Sequence, residues 1–271
     1  MRVTLTKHHG LGNDFLVCDT AQPLPRLAWS ELARRWCDRK RGIGADGLVT
    51  LTVDRDDPDR LTMGLHNADG SRAEMSGNGI RCLAQAAYLR QGRTGEAWYR
   101  VRTDAGDRDV HVVPVDARTV EASVDMGPVA ELDQPDGWDG VGTHPHRPVA
   151  HLSVGNPHTV VGVDDVHGVD LAALGALVPQ VNLEIVEPGP EPNAVTMRVH
   201  ERGAGITEAC GTGACATAWA AAAWGLVPSG TSEIVVHMDG GDARVRLHQP
   251  AAGRVTLVGP ATYVATVTVG E

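Results

Sequence analysis

Two short stretches of this chain place a residue that can carry a proton directly ahead of a Gly-x-Gly turn. AEMSGNGIRCLA (73–84) sets Ser76 before Gly77, Asn78 and Gly79; TEACGTGACATA (207–218) sets Cys210 before Gly211, Thr212 and Gly213. At a helix start, unpaired backbone N–H groups and the positive end of the helix dipole converge on such a residue. A carboxylate can be held there by main-chain donors, with glycines letting the backbone approach closely. A thiol in that field is expected to have its pKa lowered. Cys210 is therefore read as a base or nucleophile, whereas Cys18, Cys37, Cys82 and Cys215 are read as ordinary buried thiols. Two such turns facing one another across a pseudo-twofold axis would present groups to opposite sides of one bound molecule. That arrangement suits inversion at carbon, one side removing a proton while the other delivers one.

The elements that position these turns recur along the chain. The Ser76 and Cys210 turns are 134 residues apart, DAGDRDVHV (104–112) resembles DGGDARVRL (239–247) at 135, HGLGNDFLV (9–17) resembles LSVGNPHTV (152–160) at 143, and DMGP (125–128) resembles LVGP (257–260) at 132. Four matches in one order indicate duplication of a unit of about half the chain. Within each half, short Val-, Thr- and Leu-rich strands such as RVTLTKH, LVTLTV, RDVHVV, ARVRLH, RVTLV and VATVTV alternate with Gly, Asp and Pro turns. Each half also carries one helix directly after its Gly turn. IRCLAQAAYLRQG is read as apolar along one stripe and stopped by Gly92, and ACATAWAAAAWGL as apolar all round and so enclosed by strands. Shorter helices are expected at LAWSELARRWC and VDLAALGAL. The expected lobes are residues 1–134, with the last strand crossing over to join them, and 149–271, with a Pro/Gly/Asp-rich linker near 135–148.

Composition narrows the function classes. The chain has 271 residues, 42% of them hydrophobic, and no apolar run long enough to span a bilayer. MRVTLTKHHGLGNDF lacks the apolar core of a secretion signal, and five cysteines without Cys-x-x-Cys spacing fit a reducing, cytoplasmic setting rather than a disulfide framework or a metal site. A formal charge of −10 argues against nucleic-acid partners, which demand clustered Lys and Arg; Arg39, Lys40 and Arg41 are read as a solvated loop. Lys7 and Lys40 are the only lysines, so a pyridoxal Schiff base has almost nowhere to form.

NADGSRAEMSGNGIRC (67–82) and HERGAGITEACGTGACA (200–216) resemble the two signature segments of the diaminopimelate epimerases, and KHHGLGNDFLVCD, GIGADGL, SVGNPHTVV, PQVNLEIVE and LVGPATYV resemble that family's other landmarks in the family order. The resemblance covers essentially the whole chain. It implies an α+β fold of two pseudo-symmetric lobes, each a mostly antiparallel strand barrel around a central helix, with the active site in the cleft between lobes. It implies a cytoplasmic homodimer that interconverts L,L- and meso-diaminopimelate, in lysine and cell-wall precursor synthesis, without cofactor or metal. By position, Cys210 corresponds to one of two catalytic cysteines. Gly77 with Asn78, and Gly211 with Thr212, correspond to the pairs that hold the reacting α-carboxylate. Asn13, Asn67, Asn156 and Asn182 match asparagines lining the site, Glu201 and Arg202 match its acid and base pair, and His158 and Glu201 resemble residues that tune the thiols. Such a set suits a zwitterionic diamino dicarboxylic acid, since Arg offers a planar fork to carboxylate, Glu a partner to ammonium, and Asn direction without charge. His158 stands opposite Phe15 in the repeat, which puts the two bases in unlike surroundings.

Two positions depart from the pattern. Gly47 replaces the usual Gln, and Ser76 stands where the family places its other catalytic cysteine. A hydroxyl is a weaker acid than a thiol by several pK units at about 1.36 kcal/mol each, more than a helix dipole supplies. Ser76 then needs a base or a water relay to take part in proton removal. Three readings are open: an epimerase working with a Ser/Cys pair, an introduced substitution that keeps the shape and disables turnover, or different chemistry on the same scaffold, such as a dehydratase or lyase. A non-catalytic amino-acid-binding relative is a fourth, against which the retained thiol argues.

Overall fold

The computed structural model describes residues 2–142, 146–248 and 253–270. The chain divides into two compact units, Met1–Val124 with Gly259–Glu271, and Asp125–Val258. The linker expected near 135–148 lies inside the second unit, and its residues 143–145 fall outside the described residues.

In the first unit, β1 (Arg2–Gly10) turns back on β2 (Asn13–Asp19) through Leu11 and Gly12, both at positive φ (55° and 83°), the sign pattern of the tight hairpin turns that match strand twist. Helix α1 (Trp29–Trp36) carries the chain across to β3 (Gly47–Val53), parallel to β2, and buries Leu32, Ala33 and Trp36. Strand β4 (Arg60–Asn67) runs antiparallel to β3. Helix α2 (Gly77–Arg90) then leads to β5 (Ala97–Thr103), parallel to β4, followed by β6 (Gly106–Pro114) and β7 (Thr119–Pro128), both added antiparallel. The 17-residue β16 (Arg254–Gly270) lies beside β7 and pairs antiparallel with β1, so eight strands close into a ring. RVTLV and VATVTV, read as separate strands, are the two ends of this one element; Gly259 and Pro260 pass through it without a break.

The second unit repeats the plan. After β8 (Ala130–Glu131) come β9 (Val149–Ser153) and β10 (Pro157–Gly162), then α3 (Leu171–Leu177), β11 (Asn182–Pro188) parallel to β10, and β12 (Ala194–Glu201) antiparallel to β11, with the short β13 (Gly205–Thr207) folded onto β12. Helix α4 (Gly211–Trp224) leads to β14 (Glu233–Met238), parallel to β12, and β15 (Gly241–Leu247) pairs with the first part of β16. Registers match between the units. Leu48 faces His66 as Leu183 faces His200, and Leu61 faces Val101 as Val195 faces Val236. The lobes are thus a structural as well as a sequence repeat. The chain leaves the first unit within β7 and re-enters it within β16, so each unit is completed by strand ends from the other half of the sequence.

Both central helices are enclosed. α4 is buried around its whole circumference, as its Ala-rich sequence suggests, and ends at Gly225 with φ of 71°. α2 is buried from Gly77 through Tyr88, including Arg81 and Gln85, so its apolar residues do not form one stripe against a solvated face. Hydrogen bonds replace solvent there: Gln85 accepts from His8 Nδ1 at 2.8 Å and donates to the Arg118 carbonyl. No helix among the described residues is long and apolar enough to cross a membrane.

His8 is fully buried in β1, with Nε2 2.9 Å from Thr6 Oγ1, and burial pulls its pKa down to about 4. Unfolded, the imidazole titrates near its ordinary value of 6.5. Between those values the unfolded chain binds the extra proton, so stability falls as pH falls through this window, by up to roughly 3 kcal/mol in total. In the repeat, Leu152 occupies the position of His8, each opposite β2's Phe15 or β10's His158. Urea unfolding at about pH 7 and about pH 5 is expected to show a loss smaller by about 2 kcal/mol in His8→Leu than in the parent chain; equal losses would refute the assignment.

Candidate active site

Ser76 and Cys210 are N-caps of α2 and α4, both with extended backbone (φ −142° and −126°). Ser76 Oγ accepts from the Gly79 N–H at 3.0 Å, and Cys210 Sγ from the Gly213 N–H at 3.3 Å. The third residue of each turn must be glycine for packing reasons. A Cβ on Gly79 would sit 3.1 Å from Ser76 Cβ, and one on Gly213 would sit 2.6 Å from Glu184 Oε1.

In the first unit, Asn78 donates to Asn13 Oδ1 (3.0 Å), and Asn13 donates to Asp46 Oδ2 (2.8 Å). Arg81, with no exposed surface, donates to Asn78 Oδ1 (2.7 Å), the Gly77 carbonyl (3.2 Å) and the Pro260 carbonyl (3.2 Å). A buried guanidinium thus fixes both residues that follow Ser76. Asp14 anchors the outer rim: burial works against its charge, but hydrogen bonds from Arg39 and Lys7 overcome it and hold the carboxyl below the usual range. Arg39 also pairs with Asp46 at 2.7 Å, so the exposed turn of Arg39, Lys40 and Arg41 is a solvated loop tied to this unit by one cation. Asn67 closes the end of β4 by donating to Ser71 Oγ (3.0 Å) and stands across from Gly47. At Gly47 a Cβ would lie 2.9 Å from the His66 carbonyl and 3.1 Å from the Phe15 ring, so the Phe15 side chain fills the space that a longer residue would enter.

The second unit is built around the thiol. Asn156 donates to Thr212 Oγ1 (3.3 Å) and accepts at Oδ1 from His158 Nε2 (2.9 Å), while His158 Nδ1 lies 2.7 Å from Glu184 Oε1. Asn182 donates to the Pro157 carbonyl (2.9 Å) and accepts from the Arg202 N–H (2.9 Å), which ties β10 to the end of β12. Glu201 accepts from Thr207 Oγ1, and its charge acts on Cys210, whose Sγ lies 3.5 Å from Thr212 Oγ1. The expected set Asn156, His158, Asn182, Glu201, Arg202, Cys210, Gly211 and Thr212 is therefore one hydrogen-bonded neighbourhood; Asn13, Gly77 and Asn78 form another around Ser76, with Asn67 to one side.

Electrostatics correct one expectation. Cys210 is not an acidified thiol here: burial, followed by the charge of Glu201, pushes it well above the usual thiol range, against the opposing hydrogen bonds of Thr212 and the Gly213 N–H. The helix field is the smaller effect because the sulfur is only 4% exposed. Burial likewise raises Glu201, and its hydrogen bond from Thr207 opposes the rise. The resting thiol therefore carries its proton. Cys82 and Cys37, pushed up to about 12 by burial, and Cys215, with no exposed surface, match the inert reading.

Sequence reasoning passed over Glu184 and Arg81. The signal for Glu184 is a carboxylate in the otherwise apolar run NLEIV; for Arg81 it is a cation inside a segment buried on all sides.

The same fold is found in solved structures. A Bacillus anthracis phenazine biosynthesis protein of the PhzF family superimposes with TM-score 0.78 at 13% identity, each chain covered fully. A hydroxyproline epimerase from Agrobacterium vitis superimposes with TM-score 0.68 at 17% identity over 99% of this chain and 91% of that one. Fold and paired helix-start turns define a duplicated, two-unit scaffold. The sequence is more specific: the diaminopimelate epimerase family profile matches residues 5–132 and 151–264. Diaminopimelate epimerases of Magnetococcus marinus (41% identical, 95% of this chain and 94% of the relative) and Thermosynechococcus vestitus (39%, 97% and 98%) align along their whole length. This chain belongs to the diaminopimelate epimerase family.

Because the charge of Glu201 bears more strongly on Cys210 than any other, Glu201→Gln is expected to lower the thiol's pKa. Peptide-resolved alkylation of Cys210 at neutral pH should speed up roughly tenfold. An unchanged or slower rate would mean that Glu201 does not bear on the sulfur.

Proposed function

We propose that this protein is a pyridoxal-independent isomerase interconverting L,L- and meso-diaminopimelate, with Cys210 and Ser76 acting on opposite faces of the α-carbon. The observation that carries this reading is the Cys210 thiol, which caps the start of a buried helix by accepting from the Gly213 N–H, with the charge of Glu201 acting on it. The Gly77–Asn78 and Gly211–Thr212 segments hold the α-carboxylate by main-chain donors, where negative charge grows as the α-proton leaves. Asn13, Asn67, Asn156 and Asn182 fix orientation, Arg202 receives a carboxylate and Glu201 an ammonium. His158 and Glu201 set the state of the thiol. The protein acts as a cytoplasmic homodimer on this small zwitterion, with no nucleic acid or membrane as partner.

Proton bookkeeping gives the two directions unequal barriers. With Cys210 as base, the thiol passes its proton to the Glu201 carboxylate, the thiolate takes the α-proton, and the Ser76 hydroxyl delivers its proton to the other face as water replaces it. In reverse, Ser76 removes the α-proton and its own proton must leave to water. Ser76 Oγ is occupied by the Gly79 N–H and has no carboxylate partner corresponding to Glu201 among the described residues, where the matching position is Asn67. The serine-based direction is therefore the slow one.

Incubation with L,L- and with meso-diaminopimelate in deuterium oxide, followed by NMR, is expected to show solvent label entering the α-position, faster from one isomer. Ser76→Cys should raise turnover by about 10²- to 10⁴-fold. Absence of label with both isomers, in the parent chain and in Ser76→Cys alike, would end the isomerase reading, and release of water or ammonia would replace it with a lyase.

A further inference from the structure

Beneath Cys210 lies a fully buried carboxylate that neither the two-base scheme nor the sequence motifs use. Glu184, in β11, has no exposed surface; its Oε1 is 2.7 Å from His158 Nδ1, and its Oε2 is buried without a hydrogen-bond partner among the described residues. Gly213 leaves the room it occupies, since a Cβ there would meet Oε1 at 2.6 Å. Asn156 donates through Nδ2 to Thr212 Oγ1, so its Oδ1 is left as an acceptor, and His158 Nε2 must carry a proton to bond it at 2.9 Å. Between Nδ1 and Oε1 one proton remains, either on the imidazole facing a carboxylate or on a carboxylic acid facing a neutral ring. Either way the pair has no net charge. An ion pair with an unsatisfied oxygen is costly to bury, and apolar replacements would serve stability at least as well. The other half of the repeat makes that replacement: Val49 stands at the position of Glu184 and Phe15 at that of His158.

We infer that Glu184 is a positioning residue, sharing a single buried proton with His158 and so holding the His158–Asn156–Thr212 chain in the one orientation that serves the Cys210 half-site. The pair faces Cys210 from the start of α4 and Glu201 from β12, so its lack of net charge matters. A free carboxylate would add a further charge opposing the thiolate, whereas a shared proton lets the pair polarise as the sulfur changes charge. The inference rests on the isomerase reading for its kinetic consequence and on hydrogen-bond geometry for the shared proton.

The test separates the two. Proton NMR of the full chain, with His158→Gln used for assignment, is expected to show a strongly downfield His158 Nδ1 proton, lost or moved upfield in Glu184→Gln. In deuterium-exchange assays the same variant should lower kcat about 10-fold or more with KM within about twofold. A parent spectrum without the downfield proton overturns the proposal, and so does a signal that Glu184→Gln leaves unmoved. A moved signal with unchanged kcat also overturns it, because orientation would then be irrelevant to turnover. If the parent protein exchanges no α-protons, the isomerase reading fails while the shared proton still stands or falls on the parent spectrum, which also decides the matter should the variant not fold.

Discussion

The structure turns on a constraint at two helix starts. A buried helix leaves its first N–H groups without intrahelical partners, and inside a ring of strands no water replaces them. Ser76 and Cys210 each satisfy one of these donors with a side-chain atom, which draws the reactive oxygen or sulfur onto the helix axis. The remaining donors stay aimed outward past Gly77 and Gly211. A Cβ would crowd Ser76 at Gly79 and collide with Glu184 at Gly213, so packing behind the turn favours the second glycine of each Gly-x-Gly.

From this shared frame the two half-sites diverge in buried charge. Behind Ser76 is Arg81, a cation that holds Gly77 and Asn78 in place; the corresponding residue behind Cys210 is the apolar Cys215. Around Cys210 stand Glu201, Glu184 and His158, where the first unit has Asn67, Val49 and Phe15. The duplication therefore preserved backbone geometry and left electrostatics free to differ.

Strand exchange between the sequence halves explains why the duplication is imperfect as a linear pattern. β7 and β16 each serve both units, so neither half of the sequence closes its own ring. Local turn chemistry cannot reveal this. Gly259 and Pro260 read as a break, yet they sit inside one continuous strand because β1 and β15 pair with its two ends.

The sequence alone determined the duplication, the two central helices, the placement of Ser76 and Cys210 at helix starts and the family, because these depend on local spacing and on residue types with narrow backbone roles. Asn156, His158, Glu201 and Thr212 were legible through the same motifs. Only the tertiary structure decided the state of the thiol. Sequence position supplies the helix field, which favours thiolate, but burial and the Glu201 carboxylate brought in from β12 act more strongly and in the opposite sense. Glu184 and Arg81 were invisible for a related reason: what a charge does depends on what surrounds it in space, and their partners lie on other strands or on the inner face of a helix that a one-stripe reading took to be solvated.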